Sequence, residues 1–214
     1  MSRPPIIMAA PTAQGRIALR RSARSRRRGT LGLLVAVFVA LQGCTGSRGP
    51  LPTVSHVDLE RFMGPWYVLA HIPADSEKNA YDGVETYRLA EDGSIETTYV
   101  FREGGHDGPE RRFTPRGFVR DRTTNATWGM QFVWPLRLEY LVAHVDADYR
   151  ETIIARTARD YVWIMARRPD IAETDYARLV GRVAELGYDV SRLRRVPHRD
   201  VPSSEGDASR SRTK

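Results

Sequence analysis

The feature that most limits the fold is a series of short, strand-like segments that follow one another at hairpin spacing. Turn-forming residues, for example those at 91–93 and 146–148, separate them. The eight segments are 66–72, 83–89, 94–102, 112–120, 127–133, 136–145, 149–157 and 161–167. Strands joined by short hairpins at this number can close into a barrel around one small ligand. The sequence therefore predicts an all-β fold, an eight-stranded antiparallel up-and-down β-barrel.

Alternation within the strands indicates which side chains point the same way. Successive residues of a strand face opposite sides of the sheet. In segment 136–145, this rule places Tyr140, Val142 and His144 on one face. In segment 161–167, the corresponding large residues are Tyr161, Trp163 and Met165, with Arg167 on the same side. Both faces of segment 136–145 are partly apolar, which is typical of a strand with a cavity on one side and a partly covered surface on the other.

One segment, residues 172–186, departs from the period of two. Its apolar residues recur at intervals of three and four: Tyr176, Leu179, Val180, Val183 and Leu186. Thr174 or Asp170 is a candidate N-cap, and Gly187 is a candidate C-terminal stop. The pattern predicts one C-terminal α-helix packed against the outside of the barrel. A membrane-surface helix is the alternative, but the polar face carries both signs of charge, which favours packing.

The net charge of +7 and the isoelectric point near 9.9 first suggest a nucleic-acid partner. The excess charge lies in residues 1–43, which contain eight arginines and no acidic residue. The rest of the chain has 25 basic and 26 acidic side chains, so its net charge is close to zero. A near-neutral body lacks the electrostatic surface that binds phosphate backbones, and we expect no nucleic-acid partner.

Residues 1–43 instead have the organisation of an export signal. An arginine-rich region precedes an apolar run at 31–41, which is too short to anchor a protein by spanning a bilayer. The following residues, 41–44, resemble the bacterial lipobox that precedes cleavage and lipidation of a cysteine, although Gln42 departs from the usual pattern. We therefore expect Cys44, the only cysteine, to be acylated. A buried free cysteine is the alternative, but Gly, Ser and Pro residues follow Cys44 and offer no core.

These features predict the organisation of the whole chain. Residues 1–43 are a lipoprotein signal peptide, 44–53 a lipidated tether, 54–198 the barrel with its helix, and 199–214 a disordered tail. Thr45 follows the cysteine, whereas an aspartate there would resemble an inner-membrane retention signal. The expected location is the outer membrane, on its periplasmic face, through the lipid anchor.

Three motifs in order resemble the lipocalin family, and within it the bacterial outer-membrane lipoproteins and their apolipoprotein D-like relatives. Gly64 and Trp66 lie in a Gly-x-Trp-Tyr sequence at the first strand. Asp148 and Tyr149 match the turn before the seventh strand, and Arg167 ends the last-strand motif. The resemblance implies a lipocalin calyx in which Arg167 packs over Trp66 and closes the narrow end through a cation–π contact. These five residues would be structural.

Strand parity, together with the inward faces that the resemblance implies, predicts the lining of the cup. The candidate ligand-binding residues are Phe132, Tyr140, Val142, His144, Ile153, Trp163 and Met165. Each could instead be an ordinary core residue. A register slip of one residue would turn a whole set outward. Tyr140 or His144 could hydrogen-bond a ligand head group, and Arg137 or Arg150 could do so from the rim.

The resemblance implies that the ligand is a fatty acid or lysophospholipid, carried or stored at the cell envelope. The sequence leaves open whether the protein is a monomer or homodimer. Two rival functions remain open: a scaffold lipoprotein that holds no ligand, and an enzyme that modifies lipids. The chain lacks a Gly-x-Ser-x-Gly elbow and a phosphate-binding loop, and its five histidines are scattered. We therefore expect no catalytic residues, no metal and no cofactor.

Overall fold

The computed structural model of the protein describes residues 49–199. The expected signal peptide, Cys44 and residues 200–214 lie outside the described residues, so the interpretations that rest on them stay predictions. Residues 49–53 differ from the free tether that was expected. Leu51 is buried, and Arg159 Nη1 donates a hydrogen bond to the Gly49 carbonyl at 3.0 Å. The chain is therefore hydrogen-bonded to the domain at Gly49, and its packing begins at Leu51.

The described chain forms a closed antiparallel barrel, as predicted. A one-turn helix, α1 (Leu59–Phe62), precedes the first strand. The strands are β1 (Gly64–Ile72), β2 (Ala80–Leu89), β3 (Ile95–Glu103), β4 (Glu110–Phe113), β5 (Arg116–Val119), β6 (Thr127–Val133), β7 (Leu136–Val145), β8 (Glu151–Ala155) and β9 (Val162–Ala166). From β1 to β9, consecutive strands pair with each other except β4 with β5, and β9 pairs with β1 to close the sheet. Because β4 and β5 both pair with β3, they form one interrupted position, which leaves eight around the barrel.

The interruption between β4 and β5 falls inside the segment 112–120 that was predicted as one strand. Pro115 lies at the break and has no backbone N–H to donate to a sheet. Its carbonyl still accepts a hydrogen bond from Thr97 N at 3.2 Å, so the chain stays attached to β3 across the break. The strand bends at this point without leaving the barrel.

Loops alternate between the two ends of the barrel, which gives each end a fixed set. The open end carries 73–79, 104–109, 134–135 and 156–161. The closed end carries α1 and the turns at 90–94, 120–126 and 146–150.

A second helix, α2 (Glu173–Glu185), packs outside the barrel as predicted. Neither predicted cap, Thr174 or Asp170, is used, because the N-cap is Ala172, which has no polar side chain. Gly187 does end the helix with a φ of +85°, and Tyr188 N bonds back to the Val183 carbonyl. A 3-10 turn (Val190–Arg192) then leads into β10 (Arg194–Arg195), which pairs with β1. None of the helices formed by residues 49–199 has the length and apolar character needed to span a bilayer.

Two apolar clusters lie on opposite faces of the sheet. The inner cluster fills the barrel and includes Trp66, Trp128 and Trp163. The outer cluster lies beneath α2, where Leu179 and Val183 contact residues of the strands. The strands are therefore buried on both sides in this region, which explains why alternation alone could not show which face is inside.

Candidate ligand-binding site

The closed end is sealed by the contact between Arg167 and Trp66. The Arg167 guanidinium carbon lies 3.8 Å from the centre of the Trp66 ring. The guanidinium also donates hydrogen bonds to five main-chain carbonyls, those of Arg61, Phe62, Met63, Pro65 and Tyr149, at 2.7–3.2 Å. One side chain thus ties α1, β1 and the turn before β8 together.

Gly64 and Tyr149 make this closure possible. Gly64 has a φ of +90°, and a Cβ at that position would lie 3.4 Å from Arg167 Nη1. The Tyr149 hydroxyl accepts a hydrogen bond from Asp58 N at 2.8 Å, and the Tyr149 ring packs edge-on against Phe62. Asp148 stays at the surface, where it pairs with Arg150 at 3.1 Å. Gly64 and Tyr149 thus contact the closure directly, whereas Asp148 does not.

Aromatic rings fill the barrel above this floor. Trp128 stacks on Tyr140 with ring centres 5.4 Å apart, and Phe62 packs edge-on against Trp128 at 5.4 Å. Tyr87 lies 5.8 Å from Trp128. Because these rings occupy the lower half, any open space must lie nearer the open end.

A cavity of about 230 Å³ occupies that upper half. It is walled mainly by apolar side chains. The lining residues are Ala74, Ser76, Glu77, Glu85, Phe113, Met130, Phe132, Leu138, Glu139, Tyr140, Arg156, Tyr161 and Trp163. Of the seven predicted ligand-binding residues, this set contains Phe132, Tyr140 and Trp163. Phe132 stands at the rim, with 51% of its surface exposed.

Val142 and Met165 face inward but lie deeper than the cavity. Both are fully buried in the inner cluster and are absent from the lining. They support the aromatic floor and do not reach the open space. The strand parity that placed them inside the barrel was right, and the expectation that they face the cavity was not.

His144 and Ile153 were expected inside, and both lie on the outer face. The ladder between β7 and β8 has a β-bulge between Val142 and His144, where one extra residue reverses the alternation. Val142 pairs with Ile154, which faces inward, and His144 pairs with Ile153, which belongs to the outer cluster. Burial and the nearby positive charges of Arg182 and Arg178 lower the pKa of His144. Its surroundings are therefore those of the helix side of the sheet.

The inner end of the cavity holds a buried carboxyl group, Glu85. Its Oε2 accepts hydrogen bonds from the hydroxyls of Tyr140, at 3.1 Å, and Tyr87. Burial raises the pKa of Glu85 to about 8, although the two hydroxyl donors oppose the rise. At neutral pH the group is mostly protonated, so the cavity has a neutral acid at its base and not a negative charge.

A second carboxyl group, Glu77, lies on the loop after β1. Its Oε2 accepts a hydrogen bond from the Tyr161 hydroxyl at 3.1 Å and lies 3.9 Å from His71 Nδ1. Burial raises the pKa of Glu77 to about 7. Burial, followed by the positive charge of Arg194, lowers the pKa of His71 to about 4, so the histidine is neutral at pH 7. Neither His71 ring nitrogen has a hydrogen-bond partner among residues 49–199.

The sequence reasoning missed both carboxyl groups. Glu85 could have been found, because the alternation of 83–89 puts Glu85 and Tyr87 on one face. Glu77 lies in a loop without periodicity, and no sequence pattern marks it. Arg156 also escaped notice. It lines the cavity mouth, whereas Arg150 lies at the closed end and Arg137 lies over the Phe118 ring on the outside.

The site is suited to binding a small molecule. No group of three or more His, Cys, Asp or Glu side chains within residues 49–199 could hold a metal ion. Apolar walls remove the surface of a ligand from water, at about 25 cal/mol per Å². The neutral carboxyl and tyrosine groups at its base can donate or accept hydrogen bonds. A closed up-and-down barrel with such a cup defines a class of proteins that bind small molecules.

Comparison with known proteins assigns the family. The model of the lipocalin-like domain matches residues 57–198. Temperature-induced lipocalin-1 of Arabidopsis thaliana is 30% identical over 167 residues, which cover 74% of this chain and 88% of the relative. The outer membrane lipoprotein Blc of Escherichia coli K12 is 27% identical over 159 residues, 73% of this chain and 88% of Blc. The chain belongs to the lipocalin family.

A solved structure supports the same fold. Insecticyanin from the tobacco hornworm Manduca sexta superposes with a TM-score of 0.56 at 14% sequence identity. The match covers 71% of this chain and 86% of insecticyanin. At that identity the likeness concerns the barrel alone.

Proposed function

We propose that this lipocalin binds a single-tailed lipid, such as a fatty acid or lysophospholipid, and stores or transports it at the bacterial cell envelope. The tail occupies the cavity of the upper barrel. The protein is held on the periplasmic face of the outer membrane by lipid attached to Cys44. Support for this location comes from the lipobox-like sequence and from the likeness to Blc, which is an outer membrane lipoprotein by name.

The observation that carries the binding proposal is the cavity between the aromatic floor and the rim. Its apolar walls include Met130, Leu138 and Trp163. Each methylene group that leaves water there contributes about 0.8 kcal/mol. Arg156 lines the mouth and its Nη1 lies 3.4 Å from Asp160 Oδ2, so a carboxylate or phosphate head group can compete for this guanidinium.

The test is calorimetric titration of the purified protein with palmitate and with a lysophospholipid. We expect binding with a Kd in the micromolar range or below. Leu138→Glu puts a charge on the cavity wall and should weaken binding at least about tenfold. The matched control, Leu89→Glu, adds the same charge at the closed end, where Leu89 is also partly exposed, and should leave the Kd unchanged.

Three results would overturn the proposal. Absence of binding by the folded protein would favour the scaffold alternative. Aromatic side chains already fill the lower barrel, as expected of a barrel that holds no ligand. Conversion of the added lysophospholipid into other products would favour an enzyme. Equal weakening by the two glutamate variants would mean that the lipid binds somewhere other than the cavity.

A further inference from the structure

We propose that the open end of the barrel faces the lipid bilayer and that the β6–β7 hairpin inserts its apolar tip into the membrane surface. The segment concerned is residues 132–138, called the rim hairpin below. The proposal rests in part on the proposed function, since it uses the lipid attached to Cys44. It adds an orientation and a second membrane contact that an anchor alone does not supply.

The rim hairpin concentrates exposed apolar surface in one place. Five of the seven large apolar side chains that are exposed within residues 49–199 belong to it: Phe132, Val133, Trp134, Leu136 and Leu138. Trp134 is 82% exposed, the highest value among them. A contiguous apolar projection of this kind is unusual on a protein that contacts only water and is typical of a protein or membrane contact. A tryptophan at the tip suits the region between head groups and acyl chains.

The charges beside the hairpin suit a surface of anionic head groups. Arg137 lies within the rim hairpin, and its guanidinium carbon is 3.6 Å from the Phe118 ring centre. Arg120 Nη2 donates to the Arg137 carbonyl at 3.1 Å. Both contacts hold the guanidinium groups in position beside the hairpin, and neither contact involves an acidic side chain. Their positive charge therefore remains available to lipid phosphates.

The course of the N-terminal segment brings the anchor to the same end. Gly49 is held by Arg159, which lies in the β8–β9 turn at the open end. From there the chain runs toward the closed end, where Val57 N bonds to the Thr124 carbonyl. Five peptide units connect Cys44 to Gly49, and at about 3.6 Å each they span at most roughly 18 Å. A lipid on Cys44 is thus tethered within this distance of Gly49, the first described residue, which is bonded to the open end.

The cavity and the rim hairpin share residues, which gives the orientation a consequence. Phe132 and Leu138 line the cavity and are exposed at its mouth. With the hairpin in the membrane surface, the mouth opens toward the acyl chains. A lipid tail can then pass between bilayer and cup with little of its length exposed to water.

Tryptophan fluorescence can test this arrangement, because Trp134 is the exposed one of four tryptophans and the other three are at most 3% exposed. The full-length protein, isolated from bacterial membranes, is reconstituted into vesicles of phosphatidylethanolamine and phosphatidylglycerol with brominated acyl chains. We expect bromine to quench part of the emission and Trp134→Phe to remove that part. Bromolipid in the cavity would quench Trp163 in both proteins and so cancels in the comparison.

A matched control reports the opposite end of the barrel. In the Trp134→Phe background, Leu89→Trp places a tryptophan at the closed end, at a site that is 37% exposed. This residue should be quenched by aqueous acrylamide and not by bromolipid. Quenching of Trp134 by acrylamide but not by bromolipid, or bromolipid quenching at position 89 instead, would overturn the proposal.

The same sample separates the two proposals. Its mass shows whether Cys44 carries acyl chains, and titration shows whether the cup binds lipid. If Cys44 carries no acyl chains or the cup binds no lipid, but bromolipid still quenches Trp134, the proposed function is wrong and the membrane contact of the rim hairpin is supported. Acylation of Cys44 and lipid binding by the cup, without bromolipid quenching of Trp134, would count against membrane contact of the rim hairpin alone.

Discussion

At the scale of single residues, Arg167 shows why the family motif is spread over the chain. Its guanidinium covers the Trp66 ring and donates to carbonyls of both α1 and the turn before β8. Each of these partners comes from a different part of the sequence. The planar guanidinium, with five N–H groups, can cover the ring and bond these carbonyls at the same time. A lysine ammonium cannot do both.

Arg167→Lys should therefore destabilise the protein although the charge is kept. We expect the free energy of unfolding to fall by about 1–3 kcal/mol, since the Trp66 ring loses its guanidinium contact and several partly buried carbonyls lose a donor. Urea denaturation measures it. Arg168→Lys, a change of the exposed neighbouring side chain, is the control and should have an effect below about 0.5 kcal/mol. Equal stability of the wild type and Arg167→Lys would show that the planar guanidinium is not needed to stabilise the closed end.

Glu85 provides a prediction for pH dependence. The pKa of Glu85 is about 8 in the folded protein, against 4.5 for an ordinary glutamate. Between these values the unfolded chain releases this proton and the folded protein keeps it, so stability falls as pH rises toward 8. Glu77, with a pKa of about 7, acts in the same direction. His71 acts in the opposite direction, but only between its folded pKa of about 4 and 6.5.

The melting temperature should therefore fall between about pH 6.5 and about pH 8.5, where the glutamates act without the histidine. Glu85→Gln is neutral throughout and should reduce the fall, with a higher melting temperature than the wild type at the upper pH. Glu91→Gln, at an exposed turn position, should leave the slope unchanged. If the melting temperature changes equally with pH in the wild type, Glu85→Gln and Glu91→Gln, then Glu85 is ionised in the folded state.

At the scale of elements, the β-bulge in β7 explains the main error in the predicted site. The alternation rule holds up to Val142 and fails at His144, because the ladder shifts between them. A bulge depends on the pairing with β8 and leaves no mark in the composition of β7. Ile153 was misplaced for a related reason: β8 is apolar on both faces, so Ile153 and Ile154 could not be told apart by polarity.

The helix α2 was predictable because its apolar period is unambiguous, and its packing gives a third prediction. Leu179 is fully buried against the outer cluster, whereas Val180 is only partly buried beside it. Leu179→Ala should lower the free energy of unfolding by about 2–4 kcal/mol, and Val180→Ala by about 1 kcal/mol or less. Similar losses in the two variants would indicate that α2 is not held by its buried face.

At the scale of the whole molecule, the barrel and its strand order follow from features that are local in sequence. Hairpin spacing and turn residues determine which strands are neighbours, and the motifs that contain Trp66 and Arg167 mark the closed end. The position of the cavity does not follow from these features. It depends on how far Trp128, Tyr140 and Tyr87 fill the barrel from the floor, which is a property of packing between strands far apart in sequence.

The proposed function requires that the upper half of this barrel hold a lipid tail. The most direct measurement is native mass spectrometry of the protein purified from the envelope of its own host, with extraction and identification of whatever is bound. We expect one bound single-tailed lipid per barrel, reduced in Leu138→Glu and retained in Leu89→Glu. A folded, ligand-free protein, or a bound lipid that survives Leu138→Glu unchanged, would contradict it.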